Sequence, residues 1–362
     1  MTGEAPLLAL AHSASGHERA LELFGAGAAA RVLRGGSGLA GSRRAVGAVL
    51  RLRPRKLYLV DIGVSTLAAA LAGRAVRAAL VIDTGDLAYE LARSVGRRSR
   101  FGLAAIWLGE RLLLGLAEHV VVRGAAHLER LPGKRATVVP DLPPTGARPL
   151  PGEPVRARLG LGDRFVVGLV GSLNWAPRTR TAYGWDLIEA LSLTDERVCA
   201  LIVGDGDARG RLEQRALELG VRDRCAFVGR VSSAEVAQWV AAMDACLSTQ
   251  TNDAVGAVRT TGKLPLYLAC GKPVIASDVG EARRLLGPLG WTIPYEGVVD
   301  RAYPRRLAKT ITCWADDTAA MAERREQALS IARTAFDRDR LRERVLALIE
   351  AVSRDPRGTG MA

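Results

Sequence analysis

Four consecutive residues, Thr260, Thr261, Gly262 and Lys263, stand where a polar loop leads into a short apolar helix. They offer two hydroxyl groups and one ammonium group, and the glycine lets a ligand approach the backbone closely. The first turn of a helix also leaves N–H groups without internal partners and carries partial positive charge. These groups predict a binding site for a phosphate or diphosphate. A solvated turn that only begins a helix is the alternative.

The residues that follow predict a helix and a strand on which this turn depends. Gly271 and Pro273 end the apolar helix, and residues 274–276 read as a buried Val-Ile-Ala strand. That strand closes in Ser-Asp-Val-Gly, residues 277–280, before the next helical segment. In the first half, strand candidates at 7–11, 57–60 and 78–82 alternate with helical segments, the first of them from Arg19 to about Phe24. Such alternation predicts parallel sheets with helices on both faces.

At residues 251–282 the chain resembles the donor-binding domain of the family-4 retaining glycosyltransferases, enzymes of the GT-B fold. Three further strand-and-turn segments follow the order of that family, at residues 166–172, 200–206 and 227–231. The resemblance implies an α/β chain of two Rossmann-like, doubly wound domains with a cleft between them. It implies transfer of a sugar from a nucleoside diphosphate sugar to an acceptor, with retention of anomeric configuration.

Two signatures of the family are altered in this chain. A pair of glutamates, the second of which holds the nucleotide ribose, is replaced by Val258 and Leu266, and Asp253 is the candidate substitute. An arginine and a lysine that hold the diphosphate are replaced by Ser172 and Tyr183. The insertion between these two positions, residues 174–180, carries Arg178 and Arg180 as replacements. The expected donor contacts are therefore Ser15, Gly16, Ser172, Asn174, Arg178, Gly204, Arg230, Asp253, Arg259, Thr260, Thr261, Gly262 and Lys263.

Two carboxylates are the candidates for catalysis in the first half of the chain. Asp83 and Asp86 flank Gly85 at the end of an apolar strand, and ligands bind at the carboxyl edge of such sheets. The resemblance aligns Gly85 and Asp86 with a His-Asp pair, of which the histidine is absent here. Asp86 or Asp83 would orient the acceptor hydroxyl or take its proton. Capping of the next helix, from Leu87 onward, is the alternative.

Length and composition set the domain limits. A chain of 362 residues with 48% apolar composition is long enough for two ordinary cores. Proline and glycine are concentrated at residues 139–152, which reads as a linker. We therefore expect an acceptor-binding domain at 1–150 and a donor-binding domain at 151–335. Residues 336–362 form a last helix, which the resemblance places across the first domain, and a tail.

Charge is distributed unevenly along the chain. Residues 1–150 contain 21 Lys and Arg against 11 Asp and Glu, which accounts for most of the net charge of +13. An anionic acceptor, a membrane surface or a solvated arginine-rich surface would each account for this excess. Nucleic acid is not expected as a partner, because aromatic residues make up only 5% of the chain and are not interleaved with the charge.

One segment bears on the membrane alternative. Arginines at 97, 98 and 100 precede an apolar stretch, residues 101–116, that only Glu110 and Arg111 interrupt. It is too short and too charged to span a bilayer, which takes about 20 apolar residues. The segment predicts either a helix in the headgroup layer or a helix enclosed between a sheet and its neighbours.

The remaining residue types exclude several classes of protein. The five cysteines are odd in number and form no Cys-x-x-Cys pair, which is typical of a reduced cytoplasm. The four histidines show no metal-ligand spacing, so we expect neither a metal nor a cofactor. The first residues show no secretory leader pattern. We therefore predict a cytoplasmic protein, with contact to the inner face of the membrane as the alternative.

Two other functions remain open at this point. The altered signatures would also suit a GT-B protein that binds a sugar nucleotide or a partner without catalysing transfer. A sugar-nucleotide epimerase of the same fold is the second alternative, although it would require more catalytic carboxylates than these patterns supply.

Overall fold

A computed structural model describes residues 7–25, 30–131, 133–177, 179–259 and 262–353 of the chain. The chain divides into two compact units. The first unit contains the residues up to Leu142 and those from Arg338 onward, and the second contains Pro143–Asp337. The division falls eight residues before the limit at residue 150 that the sequence indicated, near the start of the segment rich in proline and glycine.

Six parallel strands form the sheet of the first unit in the described residues, in the spatial order β2-β1-β3-β4-β5-β6. The chain runs outward from β1 to β2 and then resumes on the other side of β1, so the order reverses between β1 and β3. Ligands bind at such a switch point. The strands are β1 Leu7–Ala11, β2 Ala30–Arg34, β3 Lys56–Val60, β4 Ala79–Thr84, β5 His119–Val122 and β6 Ala136–Val138.

Helices cover both faces of this sheet, which explains why β1, β3 and β4 are almost continuously apolar. On one face, Leu341, Val345 and Ile349 of the last helix pack into the core that also contains Phe24 and Tyr58. The helices of the first unit are α1 Ala14–Phe24, α2 Gly38–Leu52, α3 Val64–Ala75, α4 Ala88–Val95, α5 Arg100–Leu116, α6 Ala125–Leu128 and, from the chain's end, α16 Arg338–Ala351.

Helix α5 contains the apolar segment for which the sequence left two positions open. Of its 17 residues, all of them described, only Leu113 is buried. The helix is therefore not enclosed between the sheet and its neighbours, and that alternative is wrong. No helix in the described parts of the chain is long and apolar enough to cross a membrane.

The second unit is also built on six parallel strands within the described residues, in the order β11-β10-β7-β12-β13-β14. Its chain runs outward through β10 and β11 and then returns past β7 to β12, which places a switch point between β7 and β12. The strands are β7 Phe165–Val170, β10 Val198–Val203, β11 Cys225–Gly229, β12 Ala245–Ser248, β13 Val274–Ser277 and β14 Thr292–Ile293. A two-stranded antiparallel hairpin, β8 Trp175–Ala176 and β9 Thr181–Ala182, follows β7.

The helices of the second unit pack against its sheet and enclose a separate core. They are α7 Glu153–Leu159, α8 Trp185–Leu191, α9 Arg209–Glu218, α10 Val236–Ala241, α11 Ala254–Val258, α12 Lys263–Ala269, α13 Gly280–Leu286, α14 Tyr303–Asp316 and α15 Thr318–Ala335. Both sheets are thus doubly wound, and the α/β fold class that the sequence indicated is confirmed.

Two local predictions were wrong. The first helix begins at Ala14 and not at Arg19, because the Ser13 hydroxyl caps it by accepting a hydrogen bond from Gly16 N–H at 2.8 Å. Within the polar loop expected before Lys263, residues 254–258 form the short helix α11, because the Asp253 carboxylate caps that turn. In both places a side chain to backbone bond supplies the helix start that apolar periodicity did not reveal.

Candidate functional site

The switch point of the second unit lies where β7 and β12 stop pairing. These strands pair only through Ala245 with Val167 and Cys246 with Gly168. Beyond that point two tyrosines satisfy backbone groups of the diverging strands. The Tyr183 hydroxyl donates to the Leu247 carbonyl at 2.6 Å, and Val170 N–H donates to the Tyr267 hydroxyl at 2.6 Å. The diverging strand ends are therefore fixed by two phenol groups, of which Tyr267 is fully buried and Tyr183 is half-buried.

Two glycine turns lie at the carboxyl edge of the sheet. Gly171 follows β7 with φ +154°, and Gly204 follows β10 with φ +144°, so both have a backbone conformation that other residues rarely adopt. A Cβ on Gly204 would overlap the Gly171 carbonyl, and a Cβ on Gly171 would lie 2.6 Å from Lys263 Cε. Glycine is required at both turns because backbone and lysine stem occupy the space of a side chain.

Lys263, at the first turn of α12, lies against the Gly171 turn. Its Nζ is 3.3 Å from the centre of the Tyr183 ring, a cation–π contact. Burial, with a smaller effect of the nearby Arg259, lowers the pKa of Lys263 to about 7. Among the described residues, no carboxylate contributes to the electrostatic surroundings of this ammonium group. An anion would therefore complete the site.

The other predicted donor contacts near Lys263 differ in exposure and in hydrogen bonding. Arg259 is exposed at the end of α11, and Gly262 is exposed at the start of α12. Asp253 Oδ1 accepts hydrogen bonds from Gly256 N–H and from the Thr251 hydroxyl, both at 2.9 Å, so this carboxylate has a local capping role. Thr260 and Thr261 lie outside the described residues.

The two positions of the missing glutamates are both apolar and enclosed. Val258 is 1% exposed and Leu266 is 4% exposed. Leu266 belongs to the core formed by α12 and the sheet. A glutamate at either position would need to be desolvated in this packing.

The hairpin after β7 contains the insertion that the sequence singled out. Ser172 and Asn174 are exposed on the stretch that leads into it. Trp175 N–H donates to Asp207 Oδ1 at 2.6 Å, and its ring packs at 5.7 Å from that of Trp185. The hairpin is thereby attached to the unit on the side of β10. Arg178, the candidate diphosphate ligand in its turn, lies outside the described residues.

Arg230 is the remaining donor candidate of the second unit. It is exposed after β11, the edge strand, and β10 lies between β11 and β7. The structure therefore brings together Gly204, Gly171 and Lys263, with Arg259 near the ammonium group, whereas Arg230 lies farther along the same edge.

In the first unit, Asp83 lies inside a buried ion-pair network. Arg19 Nε donates to Asp83 Oδ2 at 2.7 Å, and the Tyr58 hydroxyl donates to the same oxygen at 2.6 Å. Arg19 also donates to Asp141 and to the carbonyls of Val139 and Pro140. Burial opposes the charge of Arg19, but Asp83 and Asp141 raise its pKa above the usual value. Since Asp83 is fully enclosed, it is suited to positioning Arg19 and not to meeting a substrate.

Asp86 lies nearer the surface at the same edge. The sequence left open a capping role, but the residue that precedes α4 is Leu87, and the helix N–H groups are satisfied by Glu110. His127, after β5, is close enough to Asp86 for the carboxylate to affect it. Burial nevertheless lowers the pKa of His127 to about 4, so its imidazole is neutral at physiological pH. An imidazole thus accompanies Asp86, although none occurs at position 85.

The Arg123 side chain occupies the space that a side chain at position 85 would need. A Cβ at Gly85 would lie 2.5 Å from Arg123 Nη1. Arg123 Nε lies 3.4 Å from Asp141 Oδ1, and Arg123 Nη2 lies 3.4 Å from Asp61 Oδ1. An arginine from the next strand therefore occupies the place of the expected histidine and links two carboxylates of the edge.

Asp61 lies at the switch point of the first sheet, directly after β3. It adopts φ +65°, and the Ser13 hydroxyl donates to its carboxylate. Burial raises its pKa, against the opposing effects of Arg123 and the Ser13 hydrogen bond. Gly16 lies against this carboxylate, where any Cβ would overlap it, and Ser15 is exposed beside it in the first turn of α1.

Sequence reasoning missed Asp61, Arg123 and His127. A signal existed for the first two, because each directly follows a buried strand, as Asp86 nearly does. His127 had no such signal. In the described residues, no group of three or more His, Cys, Asp or Glu side chains is arranged to hold a metal ion.

Comparisons with known proteins agree with this geometry. Residues 164–317, which include both glycine turns and Lys263, match the glycosyl transferases group 1 family. The D-inositol 3-phosphate glycosyltransferase of Xylanimonas cellulosilytica is 28% identical over 193 residues, 49% of this chain and 45% of the relative. The lipopolysaccharide core biosynthesis glycosyltransferase LpsD of Rhizobium meliloti is 35% identical over 181 residues, 48% of this chain and 46% of the relative. The chain spans about half the length of the curated relatives it matches.

Among solved structures, Anabaena Alr3699/HepE in complex with UDP-glucose has a TM-score of 0.73 at 20% sequence identity. The match covers 95% of this chain and 99% of that chain, so the fold likeness includes both units. Residues 164–317 are therefore similar to the glycosyl transferases group 1 domain, and the chain has the GT-B fold.

Proposed function

We propose that the protein transfers a sugar from a UDP-sugar to an acceptor hydroxyl group with retention of anomeric configuration. The observation that carries this proposal is the ammonium group of Lys263, which lies half-buried over the Tyr183 ring at the switch point and has no carboxylate partner among the described residues. A desolvated cation without a counter-ion is unfavourable, and a diphosphate would supply the missing charge. The UDP-glucose bound in the Anabaena relative supports UDP as the nucleotide.

In this reaction the bond between the sugar C1 and the β-phosphate oxygen breaks, and the oxygen leaves with the electron pair. The acceptor oxygen forms the new bond to C1, and its proton passes to the departing phosphate. Lys263 and Arg259 stabilise the negative charge that develops there. Helix α12 has only seven residues, so these two side chains contribute more than its dipole.

The first unit binds the acceptor in this proposal. Asp86 orients the acceptor hydroxyl at the carboxyl edge of the sheet, beside the neutral imidazole of His127. Asp83 acts only indirectly, by holding Arg19. The basic excess of residues 1–150 supports an anionic acceptor, and the name of the Rhizobium relative supports a glycan.

The test is nucleotide release from a panel of UDP-, GDP- and dTDP-sugars, with and without candidate acceptors. Lys263→Ala should reduce UDP release at least tenfold, which corresponds to about 1.4 kcal/mol of transition-state stabilisation. Lys309→Ala, which removes an exposed lysine of α14, is the matched control and should leave release unchanged. Asp86→Asn should lower transfer to the acceptor while UDP binding stays the same.

Two results would contradict the proposal. One is the absence of both turnover and thermal stabilisation with every nucleotide sugar. The other is a Lys263→Ala variant as active as the control. Retention would be read from the anomeric coupling constant of the product by NMR.

Binding of a sugar nucleotide without transfer is a second candidate function. Val258 and Leu266 are apolar and buried at the positions where the family-4 glycosyltransferases carry glutamates. The same assay tests this function. A protein that binds the sugar nucleotide without transferring it would be stabilised by UDP-sugars and would release no UDP. An epimerase would convert the donor into a second sugar nucleotide without an acceptor, and chromatography of the nucleotide pool would reveal it.

A further inference from the structure

Helix α5 presents an apolar face to solvent. Residues 101, 104, 105, 108, 111 and 112 share one side of the helix, since they recur at intervals of three and four, and all six are exposed. We call this set the α5 outer face. Phe101 is 90% exposed, Leu108 is 51% exposed and Leu112 is 50% exposed, with Trp107 beside them at 43%. A surface helix of a globular protein ordinarily has polar residues on the side that faces water.

The charged residues of the segment 96–116 are positive, with one exception. Glu110 is the only acidic residue in the segment 96–116, and it points toward α4. Its two carboxylate oxygens accept hydrogen bonds from Ala88 N–H at 2.8 Å and Tyr89 N–H at 3.2 Å. Arg111, its neighbour in sequence, lies on the outer face with its guanidinium 4.4 Å from the centre of the Trp107 ring.

Arginines also lie at the start of the helix. Arg98 precedes α5 and Arg100 is its first residue, next to Phe101, and both arginines are exposed. The segment therefore combines exposed aromatic and aliphatic side chains with cations. Its one carboxylate, that of Glu110, caps the start of α4. This is the composition of helices that lie in the headgroup layer of a membrane.

We propose that the α5 outer face, with Trp107, Arg98 and Arg100, docks the first unit on an anionic lipid surface. Phe101, Leu108 and Leu112 enter the boundary between headgroups and acyl chains, and the arginines contact lipid phosphates. A second copy of the chain suits this face less well, because an isologous contact would bring Arg100 and Arg111 of two copies together without a carboxylate. The proposal does not depend on the transferase reaction.

The experiment is sedimentation of the full chain with phosphatidylcholine vesicles that contain or lack phosphatidylglycerol. We expect binding to the anionic vesicles that weakens as salt is raised. Phe101→Ser combined with Leu108→Ser should lower the partition coefficient at least about tenfold. Arg98→Gln combined with Arg100→Gln should lower it about fivefold per residue on anionic vesicles and leave binding to neutral vesicles unchanged.

Matched controls come from exposed residues elsewhere. Leu39→Ser on α2, where the leucine is 79% exposed, and Leu217→Ser on α9, where it is 58% exposed, should both bind like the unmodified protein. All of these positions are exposed, so each variant should melt at the temperature of the unmodified protein.

Three outcomes would overturn the proposal. The unmodified chain could remain in the supernatant with anionic vesicles, or the Phe101 and Leu108 variant could sediment as before. The third is a concentration-dependent dimer, seen by analytical ultracentrifugation without lipid, that the same variant abolishes. That result would assign the face to a second copy of the chain.

Discussion

The ammonium group of Lys263 is poised to couple donor binding to proton uptake. Its pKa is lowered to about 7, first by burial and then by Arg259, so above pH 7 the site without ligand increasingly holds a neutral amine. A bound diphosphate favours the charged form and raises that pKa. Affinity for UDP-glucose should therefore be greatest below pH 7 and should fall up to about tenfold per pH unit above it.

Calorimetry in buffers of different ionisation enthalpy measures this coupling. UDP-glucose is the proper ligand, because its diester phosphates do not titrate in this range. Proton uptake should approach one per site at pH above 7 and vanish at pH below 7. Lys263→Met should abolish the uptake, whereas Lys309→Met should keep it. Affinity that is flat across this range in the unmodified protein would contradict the expectation.

The positions of Lys263 and Asp83 differ in how far the sequence predicts them. The place of Lys263 at the start of a helix was predictable, because a glycine, a lysine and an apolar run are adjacent in the chain. The enclosure of Asp83 was not, because its partner Arg19 is 64 residues away and Arg123 comes from a third segment. Ion pairs of this kind depend on sheet order, which no local pattern carries.

Among the secondary-structure elements, the glycine turns and α12 were predicted, because glycine and proline residues mark where local apolar runs begin and end. The β8–β9 hairpin and α11 escaped notice, since each has too few residues for a periodic pattern. The exposure of α5 could not be chosen from the sequence either. An apolar helix with basic flanks has the same pattern whether it is enclosed or exposed, and only the burial of α5 in the folded chain distinguishes the two.

The pairing of α4 and α5 depends on Glu110. Because this carboxylate satisfies two N–H groups at the start of α4, Glu110→Ala should destabilise the first unit by about 1 kcal/mol. Hydrogen exchange at Ala88 and Tyr89 should rise with it. Glu18→Ala on α1, where the glutamate is exposed, is the control and should cost about 0.5 kcal/mol or less. Equal stability and equal exchange in the two variants would show that Glu110 is not the cap.

At the scale of the whole molecule, the chain builds two cores, and its last helix returns to the first of them. Val345 on α16 is fully buried in the core of the first unit, whereas its neighbour Leu346 is 42% exposed. Lys56 Nζ also donates to the Glu350 carbonyl at 2.8 Å, which fixes the end of the helix to β3. Residues 338–351 are therefore part of the first unit's stability.

The two adjacent positions on α16 give a sharp test of this arrangement. Val345→Asp should destabilise the first unit by about 3 kcal/mol, because it buries an unpaired carboxylate, while Leu346→Asp should cost about 0.5 kcal/mol or less. Five of the six tryptophans belong to the second unit, so tryptophan fluorescence reports mainly on that unit. Circular dichroism should show an early transition in Val345→Asp that fluorescence largely lacks. If both probes shift together, the core around Val345 does not unfold independently of the second unit.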